Sequence, residues 1–255
     1  MKLDPVLLKM ASSWSEKAYE DDVKDAIKIE NKWTSATAYI AKRKSIDVVA
    51  FRGTQQKLDV LTDINVIPVP YAGRLCHGGF VLQHASIWKE IKKHLHPKKR
   101  TLFCGHSLGG ALAELSAAKM YKKHKNINLV TFGKPNTFFK GFKRPMDLDY
   151  QISCVQGSDI VSRIPRLCYG PSVSQTMLYF ANNGTDVVNP GKLFRKVDRG
   201  GLRDRLEDHM MAGYAERLER YLEAKENGAA KVTKLRNEDD DKEKVSDEID
   251  FPSAS

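Results

Sequence analysis

One serine stands in the centre of a glycine-rich segment that has the pattern of a nucleophile elbow. Residues 105–109 read Gly-His-Ser-Leu-Gly, and this G-x-S-x-G spacing is typical of a serine held on a sharp turn. An apolar, strand-like run, 101–104, precedes it, and small apolar residues recur at helical spacing after it. A strand, a tight turn and a helix would expose the hydroxyl of Ser107 on a strained corner. The segment predicts a nucleophilic serine.

A serine hydroxyl is a weak nucleophile at neutral pH, so it needs a nearby base. In triads built on a serine elbow of this kind, the acid and then the histidine follow the serine along the chain. Two of the seven histidines, His124 and His209, follow Ser107. His124 lies in a lysine-rich run at the end of the elbow helix, far from the serine. By elimination, His209 is the predicted base, at the opening of a C-terminal helix predicted over 206–224.

The acid of the triad must lie between the serine and the histidine, at a strand end near the same edge of the sheet. Asp159 fits best, because it follows the apolar run 150–155. Asp186, in a turn rich in Asn and Gly, is the alternative. Asp208 is adjacent to the histidine, but neighbours in sequence point to different faces and rarely pair. The acid would fix the imidazole tautomer and stabilise its cation.

A tetrahedral oxyanion needs preorganised hydrogen-bond donors. One donor is the backbone N–H of Leu108, at the N-terminus of the elbow helix. The second donor should come from an upstream segment, and two candidates fit. Thr54 follows the strand-like run that ends in Phe-Arg-Gly at 51–53, and His-Gly-Gly occupies 77–79. The residues themselves leave both candidates open.

The elements that position these residues alternate between strands and helices. Hydrophobic periodicity predicts a helix over 4–26, a hairpin of 36–40 and 46–51, an extended edge segment over 64–71, a helix over 80–95, the elbow helix to about 124, strands over 128–133, 150–155 and 177–180, and the C-terminal helix. This alternation predicts an α/β fold, with a mostly parallel sheet and helices on both faces. Residues 1–226 form one predicted domain, and 227–255 form an acidic, disordered tail.

Charge and composition exclude several classes of protein. The 255 residues carry a net charge of +10, but the acidic segment 237–255 carries −6, which leaves +16 on residues 1–236. No nucleic-acid motif accompanies this charge. We expect no membrane span and no signal peptide, and therefore an intracellular, soluble protein, because apolar runs are short. The spacing of the four cysteines matches no metal site.

The chain resembles the class 3, or fungal-type, lipase family through five blocks that occur in order. They are Val-Ala-Phe-Arg-Gly-Thr at 49–54, His-Gly-Gly-Phe at 77–80, Gly-His-Ser-Leu-Gly-Gly-Ala-Leu-Ala at 105–113, Thr-Phe-Gly-Lys-Pro at 131–135, and Asp159 with Arg-Ile-Pro at 163–165. The final histidine lies where the family has its own. The sequence departs from the family pattern after the acid, at Ile160 and Ser162, and after Pro135, where Asn136 and Thr137 stand.

This resemblance implies an α/β-hydrolase that cleaves carboxylic esters, usually of lipids, without a metal or cofactor. It implies a triad of Ser107, Asp159 and His209. It favours Thr54 over His77 as the second oxyanion donor and gives His77 a structural role beside the core.

Two further segments bear on the substrate. Residues 55–64 lie where the family places its lid, and the apolar side chains Leu58, Val60 and Leu61 favour a greasy acyl group. Ordinary packing of a short helix is an equal alternative. Aromatic and basic residues interleave over 138–144, which is a pattern for contact with an anionic lipid surface or for a helix face with solvated lysines.

The leading function is hydrolysis of lipid esters of the acylglycerol type. The same residues would serve an esterase for short-chain or feruloyl-type soluble esters, or a phospholipase A-type enzyme. A lipase-like fold without turnover, acting as a binding module, is less favoured because the serine, acid and histidine are all present. Nucleic-acid binding rests on charge alone.

Overall fold

A central sheet of eight strands forms the middle layer of the protein. The computed structural model describes residues 3–54, 67–124, 126–140, 146, 148–157, 159–165, 169–170, 176–198 and 209–227. The strands run in the order β1-β2-β3-β6-β7-β9-β11-β12. Their bounds are β1 Ala26–Asn31, β2 Ala36–Lys42, β3 Ile46–Phe51, β6 Arg100–His106, β7 Ile127–Phe132, β9 Tyr150–Gln156, β11 Thr176–Phe180 and β12 Asp186–Val188. Strands β3, β6, β7, β9 and β11 are parallel to one another, so their carboxyl ends share one edge.

Helices cover both faces of this sheet. The described helices are α1 Pro5–Lys17, α2 Gly78–Lys93, α3 Leu108–Met120, α4 Lys192–Val197 and α5 Met211–Glu226. Helices α1 and α5 pack on one face, against strand residues such as Val48 and Leu102. Helices α2 and α3 pack on the other face, against the alternate residues Val49 and Phe103. This alternation follows from the two-residue period of a strand. No helix in the described ranges is long and apolar enough to cross a membrane.

A second, smaller sheet lies beside the helices of the second face. It contains β4 Pro68–Tyr71, β5 Arg74–His77, β8 Phe138–Phe139 and β10 Tyr169–Gly170, in the order β10-β8-β5-β4. Strand β4 is at its edge, as its two prolines predict, because proline cannot donate to a neighbouring strand. Phe138 is buried in the core, so this member of the aromatic and basic segment cannot touch a lipid surface. Residues 141–144 of that segment lie outside the described residues.

The first and last predicted helices are shorter than the sequence pattern indicates. Helix α1 ends at Lys17, not near residue 26, and strand β1 follows it. The Arg52 guanidinium binds the carbonyl oxygens of Ala18 and Tyr19, a tertiary contact that takes up backbone groups just beyond the helix end. Helix α5 begins at Met211, so His209 lies in a turn before it and does not open the helix. The predicted lid and acidic tail, apart from Asn227, lie outside the described residues and stay predictions.

A buried hydrogen-bonded chain joins the small sheet to α2 and α3. The hydroxyl of Tyr71 lies 2.7 Å from His84 Nδ1, and His84 Nε2 lies 2.8 Å from Ser116 Oγ. Ser116 donates to the carbonyl of Leu112. Because Ser116 already donates, His84 Nε2–H donates to it and His84 Nδ1 accepts from Tyr71. His84 is therefore neutral in the folded protein, and burial lowers its pKa to about 3.

We expect His84 to destabilise the protein in acid. The unfolded chain binds a proton at His84 below the ordinary pKa of 6.5, whereas the folded state binds it only near 3. Its stabilising contribution is therefore complete above pH 6.5 and is lost as pH falls toward 3. The free energy of unfolding, measured with urea, should fall between pH 7 and pH 5. This fall should be smaller by about 2 kcal/mol in His84→Gln than in the wild type. Equal losses in the two proteins would contradict this assignment.

Candidate active site

Ser107 lies on a strained corner between β6 and α3. Its backbone has φ 55° and ψ −129°, a region that a residue with a side chain adopts only where the surrounding structure holds it. The two motif glycines make the corner possible. A Cβ on Gly105 would lie 2.4 Å from the backbone carbon of Gly109, and a Cβ on Gly109 would lie 2.1 Å from the carbonyl oxygen of Phe51. The elbow helix therefore packs directly on the end of β3.

The structure brings Ser107, His209 and Asp159 together at the carboxyl edge of the parallel strands. His209 Nε2 lies 2.8 Å from Ser107 Oγ. On the other side of the ring, His209 Nδ1 lies 3.1 and 3.0 Å from the two carboxylate oxygens of Asp159. All three residues are buried. With Nδ1–H donated to the carboxylate, Nε2 is free to accept the serine proton.

Asp159 is held by two donors besides His209. Its Oδ1 accepts from the N–H of Val161 at 2.8 Å, in the 3-10 helix Val161–Arg163. Its Oδ2 accepts from the hydroxyl of Tyr214 at 2.7 Å. Gly133, with φ +53°, makes room for this arrangement, because a Cβ there would lie 2.7 Å from Asp159 Oδ2. The carboxylate is thus fixed in position by groups that donate to it.

Tyr214 was not predicted from the sequence. It is a buried tyrosine on the apolar face of α5, and its hydroxyl also accepts from the N–H of Gln156 at 2.9 Å. Burial, followed by the nearby Asp159 carboxylate, raises the pKa of Tyr214 well above 10, so it stays a neutral donor. A tyrosine on the apolar face of a helix has the same sequence pattern when it only fills the core, so the sequence carries no signal for this role.

Substitution of Tyr214 by phenylalanine is expected to lower kcat about tenfold, because Asp159 loses a donor and the imidazole loses alignment. Ester hydrolysis by the folded protein measures the effect. Tyr221→Phe is the matched control, because Tyr221 is buried on the same helix and its hydroxyl has no hydrogen-bond partner among the described residues. A Tyr214→Phe protein that keeps the control's kcat would contradict the assignment.

The remaining predicted residues lie as follows. Leu108 is the first residue of α3, so its N–H points from the helix N-terminus. Thr54 follows Gly53, and a Cβ on Gly53 would lie 2.7 Å from the carbonyl oxygen of His106. Thr54 therefore stands beside the elbow. Leu58, Val60 and Leu61 lie outside the described residues, as does Asp208.

The alternative candidates lie elsewhere. Asp186 pairs with Arg217 at 3.7 Å and makes no described contact with His209. His124 lies beyond the far end of α3, with Nδ1 3.1 Å from the carbonyl oxygen of Pro97. His77 is buried and stacks on Phe80, with ring centroids 4.0 Å apart.

The sequence is similar to those of known lipases. The class 3 lipase family model matches residues 48–168. A lipase of Rhizomucor miehei is 27% identical over 191 residues, which are 66% of this chain and 52% of that protein. A secreted mono- and diacylglycerol lipase of Fusarium solani is 31% identical over 153 residues, or 54% of this chain and 45% of that protein. The chain thus spans about half the length of the relatives it matches.

The solved structures agree with the predicted fold class. The triacylglyceride lipase structure from Rhizomucor miehei superposes with a TM-score of 0.61 at 18% identity, covering 71% of this chain and 81% of that one. Lipase II from Rhizopus niveus superposes with a TM-score of 0.60 at 18% identity, covering 73% and 84%. The central sheet with helices on both faces is the α/β-hydrolase fold, and this prediction is confirmed.

Proposed function

Because residues 48–168 match the class 3 lipase family model, we propose that the chain is a member of this family and hydrolyses carboxylic esters of lipids through an acyl-enzyme on Ser107. The observation that carries the proposal is the hydrogen-bonded series from Ser107 Oγ through the His209 imidazole to the Asp159 carboxylate. This is the arrangement that activates a serine hydroxyl at neutral pH.

The reaction follows from the geometry. Ser107 Oγ attacks the ester carbonyl while its proton passes to His209 Nε2, and Asp159 stabilises the imidazolium. The negative oxygen of the tetrahedral intermediate would accept from the N–H of Leu108 and from Thr54. His209 then protonates the leaving alcohol, which departs and leaves the acyl group on Ser107. Water, deprotonated by the same histidine, hydrolyses the acyl-enzyme and releases the carboxylic acid.

The proposed substrate is an acylglycerol. The names of the relatives support this class, because the Fusarium solani protein acts on mono- and diacylglycerols and the Rhizomucor miehei protein is a lipase. Short-chain or feruloyl-type soluble esters and phospholipids are the alternatives, since the triad would act on any of these ester bonds.

Hydrolysis of p-nitrophenyl esters from short to long acyl chains tests the proposal. We expect activity that rises with acyl length and disappears in Ser107→Ala. Activity confined to short chains would instead favour an esterase for soluble substrates. A wild type that hydrolyses none of the esters, with or without detergent, would contradict the proposal and favour a binding module.

We also propose that the protein meets an anionic lipid surface with the edge of the sheet that carries Ser107. Trp33 is 98% exposed in the turn between β1 and β2. Because Ala38 of β2 pairs with Phe51 at the end of β3, this turn lies at the active-site edge. Met210, next to His209, is a further exposed apolar side chain there. Tryptophan favours the membrane interface, and the +16 charge of residues 1–236 complements anionic lipid.

Vesicle sedimentation tests this surface. Wild type should bind phosphatidylglycerol vesicles more than phosphatidylcholine vesicles, and Trp33→Ser should lose most of the binding while keeping activity on a soluble ester. Val6→Ser is the matched control, since Val6 is exposed on the first turn of α1. That turn lies at the opposite edge of the sheet, where the Asp4 N–H contacts the hydroxyl of Tyr150 at the start of β9. Equal binding by the two variants, or indifference to lipid charge, would contradict the proposal.

A further inference from the structure

His106, the residue before the candidate nucleophile, contacts the backbone of the candidate base. His106 Nε2 lies 2.6 Å from the carbonyl oxygen of His209, and His106 Nδ1 lies 2.6 Å from the hydroxyl of Tyr19. A carbonyl oxygen only accepts, so His106 Nε2 carries the proton and donates it to His209. His106 Nδ1 is then the acceptor, and the Tyr19 hydroxyl is its donor. The two hydrogen bonds fix the tautomer and the orientation of the His106 ring.

Tyr19 is itself fixed by Arg52, from the Phe-Arg-Gly-Thr segment. The Arg52 guanidinium donates to the carbonyl oxygen of Ala18 at 2.7 Å and to that of Tyr19 at 3.1 Å. It also contacts the Glu20 carbonyl and the Asp21 carboxylate. These bonds hold the chain just after α1 against the end of β3. Gly53 permits the approach, because a Cβ there would lie 2.1 Å from the Tyr19 hydroxyl oxygen.

His106 has to be neutral for this contact to coexist with catalysis. Its ring centroid is 4.6 Å from that of His209, which becomes a cation during the proposed reaction. Among the described residues, the rings of Tyr19 and Tyr214 also face it. Burial, and then the proximity of His209, lowers the pKa of His106 well below 6.5. Burial also raises the pKa of Tyr19, so both groups are uncharged at neutral pH, as the two hydrogen bonds require.

We propose that Tyr19 and His106 are positioning residues for the general base. Tyr19 orients the His106 ring, and His106 Nε2–H holds the carbonyl of His209, so that the His209 imidazole stays aligned between Ser107 Oγ and Asp159. Asp159 controls one end of the imidazole, whereas this pair controls the backbone from which the imidazole extends. Residue 19 lies outside the span 48–168 that matches the family model. The short segment just after α1, which contains Tyr19, therefore completes the site. The inference rests on the proposed ester hydrolysis.

The test measures kcat and KM for p-nitrophenyl butyrate, together with the melting temperature, in full-length variants. Tyr19→Phe removes the donor to His106 and should lower kcat about tenfold at unchanged KM, as expected for a small misalignment of the base. Tyr71→Phe is the matched control. It removes an equivalent hydrogen bond, from the Tyr71 hydroxyl to the buried His84. The series of hydrogen bonds that contains His84 does not touch the site. Tyr71→Phe should lower the melting temperature similarly and leave kcat unchanged.

His106 itself is tested by a conservative and a disruptive substitution. His106→Gln places an amide donor near the position of Nε2 and should retain more kcat than His106→Leu, which has no donor. Equal kcat in Tyr19→Phe and Tyr71→Phe, or equal kcat in the two His106 variants, would overturn the positioning role. A wild type that neither hydrolyses the ester nor reacts with a fluorophosphonate would instead contradict the proposed function itself.

Discussion

Replacement of His209 by alanine is expected to lower kcat for a soluble ester by about 10⁵-fold, because Ser107 then has no group to accept its proton. His209 Nε2 is the described base within hydrogen-bond distance of Ser107 Oγ, at 2.8 Å. Its loss should leave the residual catalysis that substrate binding and the oxyanion donors supply. Hydrolysis of p-nitrophenyl butyrate, with circular dichroism to verify folding, measures the effect.

His124→Ala is the control for this substitution. His124 also follows the elbow in sequence, but it lies beyond the far end of α3, next to Pro97, and its removal should leave kcat unchanged. Because Ser107 and His209 act as a unit, the effects of their substitutions on kcat should be non-additive. Ser107→Ala combined with His209→Ala should therefore be no slower than either single variant. A His209→Ala protein that retains a substantial part of the wild-type rate would refute the assignment of the base.

Replacement of Lys134 by methionine is expected to destabilise the protein by about 3–5 kcal/mol, because it leaves an unpaired charge in the core. Lys134 Nζ lies 2.9 Å from Glu114 Oε2, and the two side chains are 3% and 0% exposed. Glu114 lies on α3, two turns beyond Ser107, and Lys134 follows Gly133, which makes room for Asp159. This pair therefore ties the elbow helix to the segment beside the acid. Urea unfolding measures the change in the free energy of unfolding.

A double substitution distinguishes the effect of the buried charges on stability from the effect of side-chain packing. Glu114→Leu with Lys134→Met removes both charges and should recover most of the lost stability, because a buried ion pair can be replaced by apolar residues of similar volume. Lys93→Met is the surface control. Lys93 and Glu90 form an exposed ion pair, so this substitution should not measurably change the free energy of unfolding. Failure of the double variant to recover stability would show that Lys134 acts through packing.

The sequence predicted the parts of the site that local chemistry determines. The serine elbow follows from glycine spacing between an apolar strand and a helix, and the structure has this turn, with the required close contacts at Gly105 and Gly109. Alternating strands and helices predicted the parallel sheet, and the sheet in turn placed residues after β3, β6 and β9 at one edge. His209 and Asp159 came from chain order and strand ends, and they lie within hydrogen-bond distance of each other.

The features that were not predicted from the sequence depend on contacts between distant segments. Strand β1 was not predicted, although Ile27 and Ile29 alternate with Lys28 and Glu30 as in a strand. It lies at the edge of the sheet and is held there by pairing with β2. Tyr214, His106 and Tyr19 are aromatic residues in apolar surroundings, and a buried tyrosine or histidine has the same pattern whether it supports a site or only fills the core. Their roles become visible through partners 55, 103 and 87 residues away in the chain. Residue types alone carry no information on such partners.

The most direct measurement is the intact mass of the protein after reaction with a fluorophosphonate, followed by peptide mapping and parallel assay of ester hydrolysis. We expect one adduct, located on Ser107, with hydrolysis lost in proportion to labelling, and no adduct in Ser107→Ala. Hydrolysis that persists when Ser107 is fully labelled, or labelling that maps to another residue, would contradict the central claim that Ser107 is the nucleophile of a lipid ester hydrolase.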